Sequence, residues 1–208
     1  MLRRPAFVFL DLGNVIVTFD RPRAYRQMAA AAGVSPEAVQ ATLAATRLEQ
    51  RLEKGLVDWA GFHAEFSRHV GAAVDPAVLA DAASDMFALN VEMLPVIAGL
   101  ERAGVPIGIL SNTCGVHWDH LLAKRYAILP GNVAATVLSH EVSAVKPEPA
   151  IYAAAAARIG VAPERIFFCD DIPSHVDAAR ACGWDAEVFE SASGLIDALH
   201  RRGLNLGV

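Results

Sequence analysis

The chain has 208 residues, of which 54% are hydrophobic and 20% are charged, and its formal net charge is −5. This length predicts one domain, or one domain that carries an insertion, and the apolar content excludes intrinsic disorder. The negative charge argues against a nucleic-acid partner, because binding to a phosphate backbone requires a basic face.

The sequence also argues against a membrane or exported protein. It has no run of about 20 apolar residues, the length that a spanning helix requires. Arg3 and Arg4 precede the apolar run 6–10 as in a signal peptide, but Asp11 ends that run too early. We therefore expect a soluble, cytoplasmic protein without a membrane partner. Its three cysteines lack the spacing of a metal site or a disulfide framework and are expected to be reduced: Cys114, Cys169 and Cys182.

Short runs rich in Val, Ile and Phe alternate with helical patterns along most of the chain. These runs predict strands at 6–10, 106–110, 133–138, 165–169 and 186–189. Helices are predicted between them at 91–103, 147–159 and 176–182. Each of these helices is followed by a glycine, the residue that accepts the positive φ common just past a helix end. Strands that alternate with helices pair in parallel, so we predict an α/β fold with a doubly wound parallel sheet.

Residues 19–88 interrupt this alternation with four consecutive helical patterns. The predicted helices span 22–32, 36–53, 58–70 and 76–87. Two of them begin with an N-cap residue followed by proline, at Ser35-Pro36 and Asp75-Pro76. We predict a four-helix cap at 19–88, inserted after the first strand of a core domain that comprises 1–18 and 89–208.

Chemically reactive side chains follow three of the predicted strands. The first strand ends at Asp11, the second at Ser111, and the fourth at Asp170 and Asp171. Lys146 lies between the third and fourth strands and precedes a helix. Since ligands of open α/β sheets bind at the carboxyl ends of the strands, we expect these side chains in one site.

This set of residue types suits phosphoryl transfer. A carboxylate such as Asp11 can attack phosphorus and form an aspartyl-phosphate. Two acidic groups can hold Mg²⁺, a cation that prefers oxygen ligands. Lys146 and Ser111 can bind the phosphate oxygens, and backbone N–H groups of the Gly13-Asn14 turn can complete the phosphate cradle.

Four segments resemble, in the same order, the motifs of the haloacid dehalogenase-like (HAD) hydrolase superfamily. They are Asp11-Leu12-Gly13-Asn14-Val15, Ser111-Asn112-Thr113, Lys146-Pro147-Glu148-Pro149 with Ile151-Tyr152, and Phe167-Phe168-Cys169-Asp170-Asp171. The resemblance spans nearly the whole chain and implies a Rossmann-like core with a cap of the C1 type, at the family's first insertion point. The Asp-Leu-Gly-Asn form is most similar to the branch of bacterial sugar-phosphate phosphatases that includes the glucose-1-phosphate phosphatases.

The resemblance implies a phosphatase that hydrolyses a small phosphorylated metabolite, such as a sugar phosphate, with Asp11 as the nucleophile. Ser111 and Lys146 are the other implied catalytic residues, and both bind the phosphoryl group. Asn14 and Asn112 complete the implied phosphate- and substrate-binding set. The expected assembly is a monomer or a homodimer.

The implied cofactor is Mg²⁺, bound by Asp11, the backbone carbonyl of Gly13 and one acidic residue of the following pair. We favour Asp171 as that ligand because, counted back from the next helix, it aligns with the family's usual aspartate. Asp170 is the second choice and otherwise positions Lys146 or a metal-bound water.

The sequence departs from the family pattern at two positions. Most phosphatases of the family carry a second Asp two residues after the nucleophile as general acid and base, whereas this chain has Gly13. Loss of such a group costs about 10²–10⁴-fold in rate. Asp20, Asp170, a metal-bound water or the substrate itself are the alternatives for its replacement. The second departure is His175, where the family often has Asp or Asn, and it leaves the surroundings of the metal site open.

Three other functions share part of this pattern. A 2-haloacid dehalogenase uses the same nucleophile, lacks the second Asp and needs no metal, but its fourth motif is not an Asp-Asp pair. A catalytically weak binding protein of the same fold would explain Gly13 directly. A phospho-accepting signalling domain gathers similar residues, but in the reverse chain order and without a helical insertion.

Overall fold

The structure is a computed structural model that describes residues 3–124 and 133–207. The strands are β1 (Phe7–Leu10), β2 (Val17–Phe19), β3 (Phe87–Leu89), β4 (Ile107–Ser111), β5 (Ala135–Leu138), β6 (Ile166–Asp170) and β7 (Asp185–Val188). The first six helices are α1 (Arg21–Ala32), α2 (Pro36–Thr46), α3 (Leu48–Glu53), α4 (Trp59–Val70), α5 (Pro76–Ser84) and α6 (Met93–Arg102). The others are α7 (Gly115–Ala123), α8 (Ser139–Val142), α9 (Pro149–Ile159), α10 (Pro173–Ala181) and α11 (Ala192–His200).

The larger sheet has the strand order β5-β4-β1-β6-β7, and every neighbouring pair is parallel. The prediction of a doubly wound parallel sheet is therefore confirmed, with all five predicted runs in it. All residues of β1, β4 and β6 are buried, because helices cover both faces of a parallel sheet. The central strand β1 lies between β4 and β6, so the residues that follow these three strands meet at one edge.

The two faces of β1 point into two separate hydrophobic clusters, because successive side chains of a strand alternate between faces. Val8 and Leu10 pack with residues of α6 and α11. Phe7 and Phe9 pack on the other face with residues of α9 and α10. These two layers account for much of the chain's apolar content and fix the position of the strand that ends at the site.

Five helices, α1–α5, lie between β2 and β3, and we call this segment the helical insertion. The predicted helix count of four is wrong, because the pattern at 36–53 forms two helices separated by Arg47, whose φ is +51°. The predicted helix at 76–87 ends at Ser84, and the residues from Phe87 onward form β3. β3 pairs antiparallel with β2, and these two short strands connect the insertion to the sheet.

The helical insertion has a core of its own. All five helices contribute to it, and its largest fully buried side chains include Phe66, Leu48 and Leu79. Among the residues that the structure describes, no helix combines the length and the hydropathy that crossing a bilayer requires.

Candidate active site

The side chains predicted to share a site converge at the carboxyl edge of the larger sheet. Asp11 follows β1, Ser111 ends β4, and Asp170 ends β6, the strands on either side of β1. Lys146 reaches the same edge from the segment between α8 and α9. A cavity of about 260 Å³ opens there between the sheet and the helical insertion. It is lined by the predicted site residues Asp11, Gly13, Asn14, Ser111, Asn112, Lys146 and Asp171.

The ammonium group of Lys146 lies between two carboxylates. Its Nζ is 2.7 Å from Oδ1 of Asp11 and 2.6 Å from Oδ2 of Asp170, and it donates to the carbonyl of Leu110 at 2.9 Å. An ammonium has three N–H donors, so all of them are used. The side chain of Lys146 is fully buried, and a buried charge is tolerated only with such partners.

Asp11 is buried and held in a fixed orientation. Its Oδ1 accepts a hydrogen bond from the backbone N–H of Leu12 at 2.7 Å in addition to the contact with Lys146. Burial raises the pKa of Asp11 to about 6, although the neighbouring Lys146 opposes this rise. Asp11 thus has a fixed position at the end of β1 and a positive charge beside it. Both features would suit a carboxylate that acts as a nucleophile.

Asp170 and Asp171 are adjacent in sequence but have different surroundings. Asp170 is fully buried, and its oxygens accept from Lys146, from the backbone N–H of Ile172 and from Nδ1 of His175. Burial by itself would raise the pKa of Asp170, but the hydrogen bonds from His175 and Lys146 hold it below its ordinary value. Asp171 is half-buried and faces the cavity, where its Oδ2 accepts from Asn14 at 2.9 Å.

These carboxylates fit a divalent cation. Oxygen atoms of Asp11, Asp170 and Asp171 lie within 4.8 Å of one another. Such a group of hard oxygen donors suits Mg²⁺, which binds through one or two carboxylates and retains several waters. Asp11 and Asp171 can both offer oxygens to the cavity, whereas the oxygens of Asp170 are already taken by other donors. The sequence did not assign a role to His175. In the structure its Nδ1 hydrogen-bonds both oxygens of Asp170, and among the described residues it makes no hydrogen bond with Asp171.

Asn112 has a contact that the sequence did not suggest. Its side-chain amide donates to the backbone carbonyl of Lys146 at 2.9 Å and accepts from the backbone N–H of Lys146 at 2.7 Å. Both polar atoms of the Asn112 side chain thus hold the backbone of Lys146, although the residue also lines the cavity. The buried Ser111 remains beside it on the cavity wall.

Gly13 lies against the ring of Phe19. A Cβ atom on Gly13 would lie 3.0 Å from Cε1 of Phe19, tighter than nine in ten real Cβ contacts, so the ring would have to shift by a few tenths of an ångström. The aromatic ring therefore occupies the space into which a side chain at position 13 would extend. Asp20, one alternative for the missing acid and base, caps α1 by accepting from Arg23 and does not line the cavity.

The helical insertion contributes cavity residues that sequence reasoning missed. Three of them are charged: Arg21, Glu49 and Glu53. Apolar side chains complete this part of the wall: Ala24, Met28, Leu52, Trp59, Phe62, Ala83 and Met86. Helical periodicity does not distinguish a charged residue that faces a cavity from one that faces solvent, so the sequence carried no signal for them.

The structure is an α/β fold with a parallel sheet, and the carboxylate of Asp11 lies in a cavity at the end of the central strand. The family model for haloacid dehalogenase-like hydrolases matches residues 6–183, which is most of the chain. The chain therefore belongs to the haloacid dehalogenase-like hydrolase family.

Individual relatives agree with this assignment. The chain is 29% identical over 113 residues to a curated phosphatase of Mycobacterium tuberculosis (strain CDC 1551 / Oshkosh), an alignment that covers 54% of this chain and 52% of that protein. The chain thus spans about half the length of the curated relative that it matches.

Solved structures share the fold. A HAD family enzyme of Bacteroides thetaiotaomicron superposes with a TM-score of 0.79 at 22% identity, covering 94% of this chain and 98% of that one. The same enzyme has been solved in complex with magnesium and inorganic phosphate. A protein of Porphyromonas gingivalis described as a predicted HAD-like family hydrolase gives a TM-score of 0.78 at 24% identity, covering 95% and 97%. At these identities the likeness concerns the fold alone.

Proposed function

We propose that this protein is a Mg²⁺-dependent phosphatase that hydrolyses a small phosphorylated metabolite through an aspartyl-phosphate on Asp11. The observation that carries the proposal is the buried Lys146 ammonium, which contacts Asp11 at 2.7 Å beside a group of three carboxylates. This arrangement places a nucleophile, a fixed positive charge and metal-binding oxygens around one small cavity. Family membership supports the same reading.

In the first step, the carboxylate of Asp11 attacks the phosphorus atom and the bond from phosphorus to the leaving oxygen breaks. Lys146 exchanges its contact with Asp11 for a phosphate oxygen, and together with Ser111 it stabilises the charge that develops on the phosphoryl group. In the second step, water attacks the same phosphorus and the bond to Asp11 breaks, which releases inorganic phosphate. Asn112 and Asp170 act indirectly, because they hold the backbone and the ammonium group of Lys146.

Mg²⁺ fits the oxygens of Asp11 and Asp171 together with the backbone carbonyl of Gly13, and Asp170 is the second choice. When bound, the ion neutralises charge on the phosphoryl group and helps to orient it for in-line attack. Asn14 supports this set by donating to Asp171.

We propose that residues 19–88 form a cap that excludes bulk water from the cavity and selects the leaving group, over a core of 1–18 and 89–208. The insertion supplies much of the wall that faces Asp11. A cavity of about 260 Å³ favours a small leaving group, such as that of a sugar phosphate. The proposed compartment is the cytoplasm.

The nearest alternative is a metal-independent 2-haloacid dehalogenase. The carboxylates of Asp11, Asp170 and Asp171 favour the phosphatase, because the one ammonium of Lys146 contacts only two of them and a bound divalent cation would offset the remaining negative charge. A dehalogenase would retain its activity in EDTA, whereas the phosphatase requires Mg²⁺.

A panel of phosphorylated metabolites assayed with Mg²⁺, with and without EDTA, tests the proposal. We expect turnover of at least one ester with Mg²⁺, loss of turnover in EDTA, and no turnover by Asp11→Asn, with a cooperative melting transition to show that the variant is folded. Full Mg²⁺-dependent turnover by Asp11→Asn would contradict the role of Asp11. A folded wild-type protein that hydrolyses none of the esters would favour the binding-protein alternative.

A further inference from the structure

Glu53 is a carboxylic acid in the cavity that the proposed mechanism has not used. It is the last residue of α3 in the helical insertion, and it lines the same cavity as Asp11. Its carboxyl group makes no hydrogen bond or ion pair with any other residue in the parts of the chain that the structure describes. A cavity-lining acid without a structural partner is available to a ligand.

The end of α3 is fixed against the core domain at three consecutive residues. Ser139 Oγ, in the residue that follows β5, donates to the backbone carbonyl of Glu53 at 2.5 Å. Lys54 Nζ lies 2.5 Å from Oε1 of Glu148, two residues after Lys146. Gly55 packs so closely on His140 that a Cβ would lie 2.5 Å from the His140 carbonyl oxygen. Glu53 therefore has a set position relative to the strand ends, although it belongs to the insertion.

The charge environment suits a group that exchanges protons. Burial raises the pKa of Glu53 to about 7, and the charged groups that act on it are Arg21, Glu49, Asp11 and Lys146. Both protonation states are therefore accessible near neutral pH, which is the condition for efficient general acid and base catalysis.

The other titratable groups around the cavity are already occupied. Glu49 accepts from the hydroxyl of Tyr25, and His175 holds Asp170 through Nδ1. His117 hydrogen-bonds the backbone of Ala83, and burial lowers its pKa to about 4. Among the acids that line the cavity in the described chain, Glu53 is the one whose carboxyl group has no hydrogen bond or ion pair with another residue.

We propose that Glu53 is the general acid and base that replaces the aspartate absent at Gly13. This inference rests on the proposed phosphatase function. As Asp11 attacks phosphorus, the bond to the leaving oxygen breaks and that oxygen takes the proton of the Glu53 carboxyl, so that an alcohol departs. The Glu53 carboxylate then accepts a proton from water as the water oxygen bonds to phosphorus and the bond to Asp11 breaks, which restores both side chains.

The test compares two aryl phosphates of similar shape in single-turnover experiments with Mg²⁺. Phenyl phosphate needs its leaving oxygen protonated, whereas the nitrophenolate of p-nitrophenyl phosphate leaves without a proton. For Glu53→Gln we expect the first-turnover rate on phenyl phosphate to fall by about 10²-fold or more, and that on p-nitrophenyl phosphate to fall by much less. With p-nitrophenyl phosphate the same variant should accumulate phosphoenzyme, because the base that activates water is missing.

Glu49→Gln is the matched control, because it removes another acid from the same cavity wall and the same helix. We expect any change in Glu49→Gln to be equal on the two substrates. Glu53→Asp, which keeps a carboxyl group, should recover part of the rate on phenyl phosphate, and melting temperatures check that each variant is folded. Equal losses on both substrates in Glu53→Gln, or no loss on either, would overturn the inference while the phosphatase function stands. A wild type inactive on all esters would overturn the phosphatase function itself.

Discussion

Lys146 and Asp170 form an ion pair that is completely buried, with Nζ 2.6 Å from Oδ2. The same ammonium also contacts Asp11, so it neutralises two carboxylates that are removed from water. Removing one partner of such a pair leaves an uncompensated charge, which costs much more than the loss of a surface ion pair.

We expect Lys146→Met to lower the free energy of unfolding by about 3–5 kcal/mol, because the methionine fills similar space but leaves the buried carboxylates of Asp11 and Asp170 without their shared cation. Denaturant unfolding without Mg²⁺ measures this loss. Adding Asp170→Asn should recover part of it, since the buried charge is then removed. A loss below about 1 kcal/mol, typical of exposed pairs, would show that the pair is not desolvated in solution.

Mg²⁺ binding should depend on Asp171 more than on an exposed aspartate nearby. A ligand at 100 times its dissociation constant stabilises a protein by about 2.7 kcal/mol, so Mg²⁺ should raise the melting temperature of the wild type. We expect Asp171→Asn to reduce this rise strongly. The control is Asp177→Asn, whose side chain is 72% exposed and pairs with Arg180. If Mg²⁺ raises the melting temperature of Asp171→Asn as much as that of the wild type, Asp171 is not a ligand and Asp170 is the acid that binds the ion.

Glu53 should make stability depend on pH. Its pKa is raised from 4.5 to about 7 in the folded protein, so the stability associated with its protonated form is present below pH 4.5 and is lost as the pH rises through about 7. Glu53→Gln should therefore be more stable than the wild type at pH 8 by at most about 3 kcal/mol, with little difference at pH 4.5. Melting in EDTA at both pH values measures the difference between the two proteins. An equal difference in stability between the two proteins at pH 4.5 and at pH 8 would show that the pKa of Glu53 is not raised.

Gly13 should resist substitution because of Phe19. Since a Cβ at position 13 would lie 3.0 Å from the Phe19 ring, we expect Gly13→Ala to cost about 1 kcal/mol of stability. In a Phe19→Ala background the same substitution should cost clearly less, and a double-mutant cycle measures this coupling. Additive effects of the two substitutions would mean that the ring does not restrict position 13.

Much of the parallel sheet could be predicted from the sequence. The three central strands β1, β4 and β6 are buried, largely apolar runs because both faces of a parallel sheet are covered, so each run is visible without the structure. β2 and β3 escaped prediction because strands of three residues, half-exposed in places, leave no clear pattern. The sequence also did not predict the break between α2 and α3. The residue with a left-handed backbone at this break is Arg47, whereas glycine is the usual signal for such a conformation.

Residues of the candidate site were predictable where they follow strands. Asp11, Ser111 and Asp171 were found because the ends of parallel strands meet at one edge of the sheet. The contact of Asn112 with the backbone of Lys146 was not predictable, because it joins residues that are 34 positions apart in a loop region.

The sequence by itself determined the fold class, the family resemblance and the residues at the strand ends. Hydrophobic periodicity and short motifs can be read directly from consecutive residues, without knowledge of how distant segments pack. The tertiary structure supplied the contacts through which Asp170 holds Lys146 and Asp171 faces the cavity, a division that the family resemblance had favoured, since adjacent residues differ only in their surroundings. It also brought Glu53 to the cavity that contains Asp11, through contacts of α3 with Ser139 and Glu148. Packing between the insertion and the sheet creates that proximity, and packing between distant segments leaves no periodic signal in the sequence.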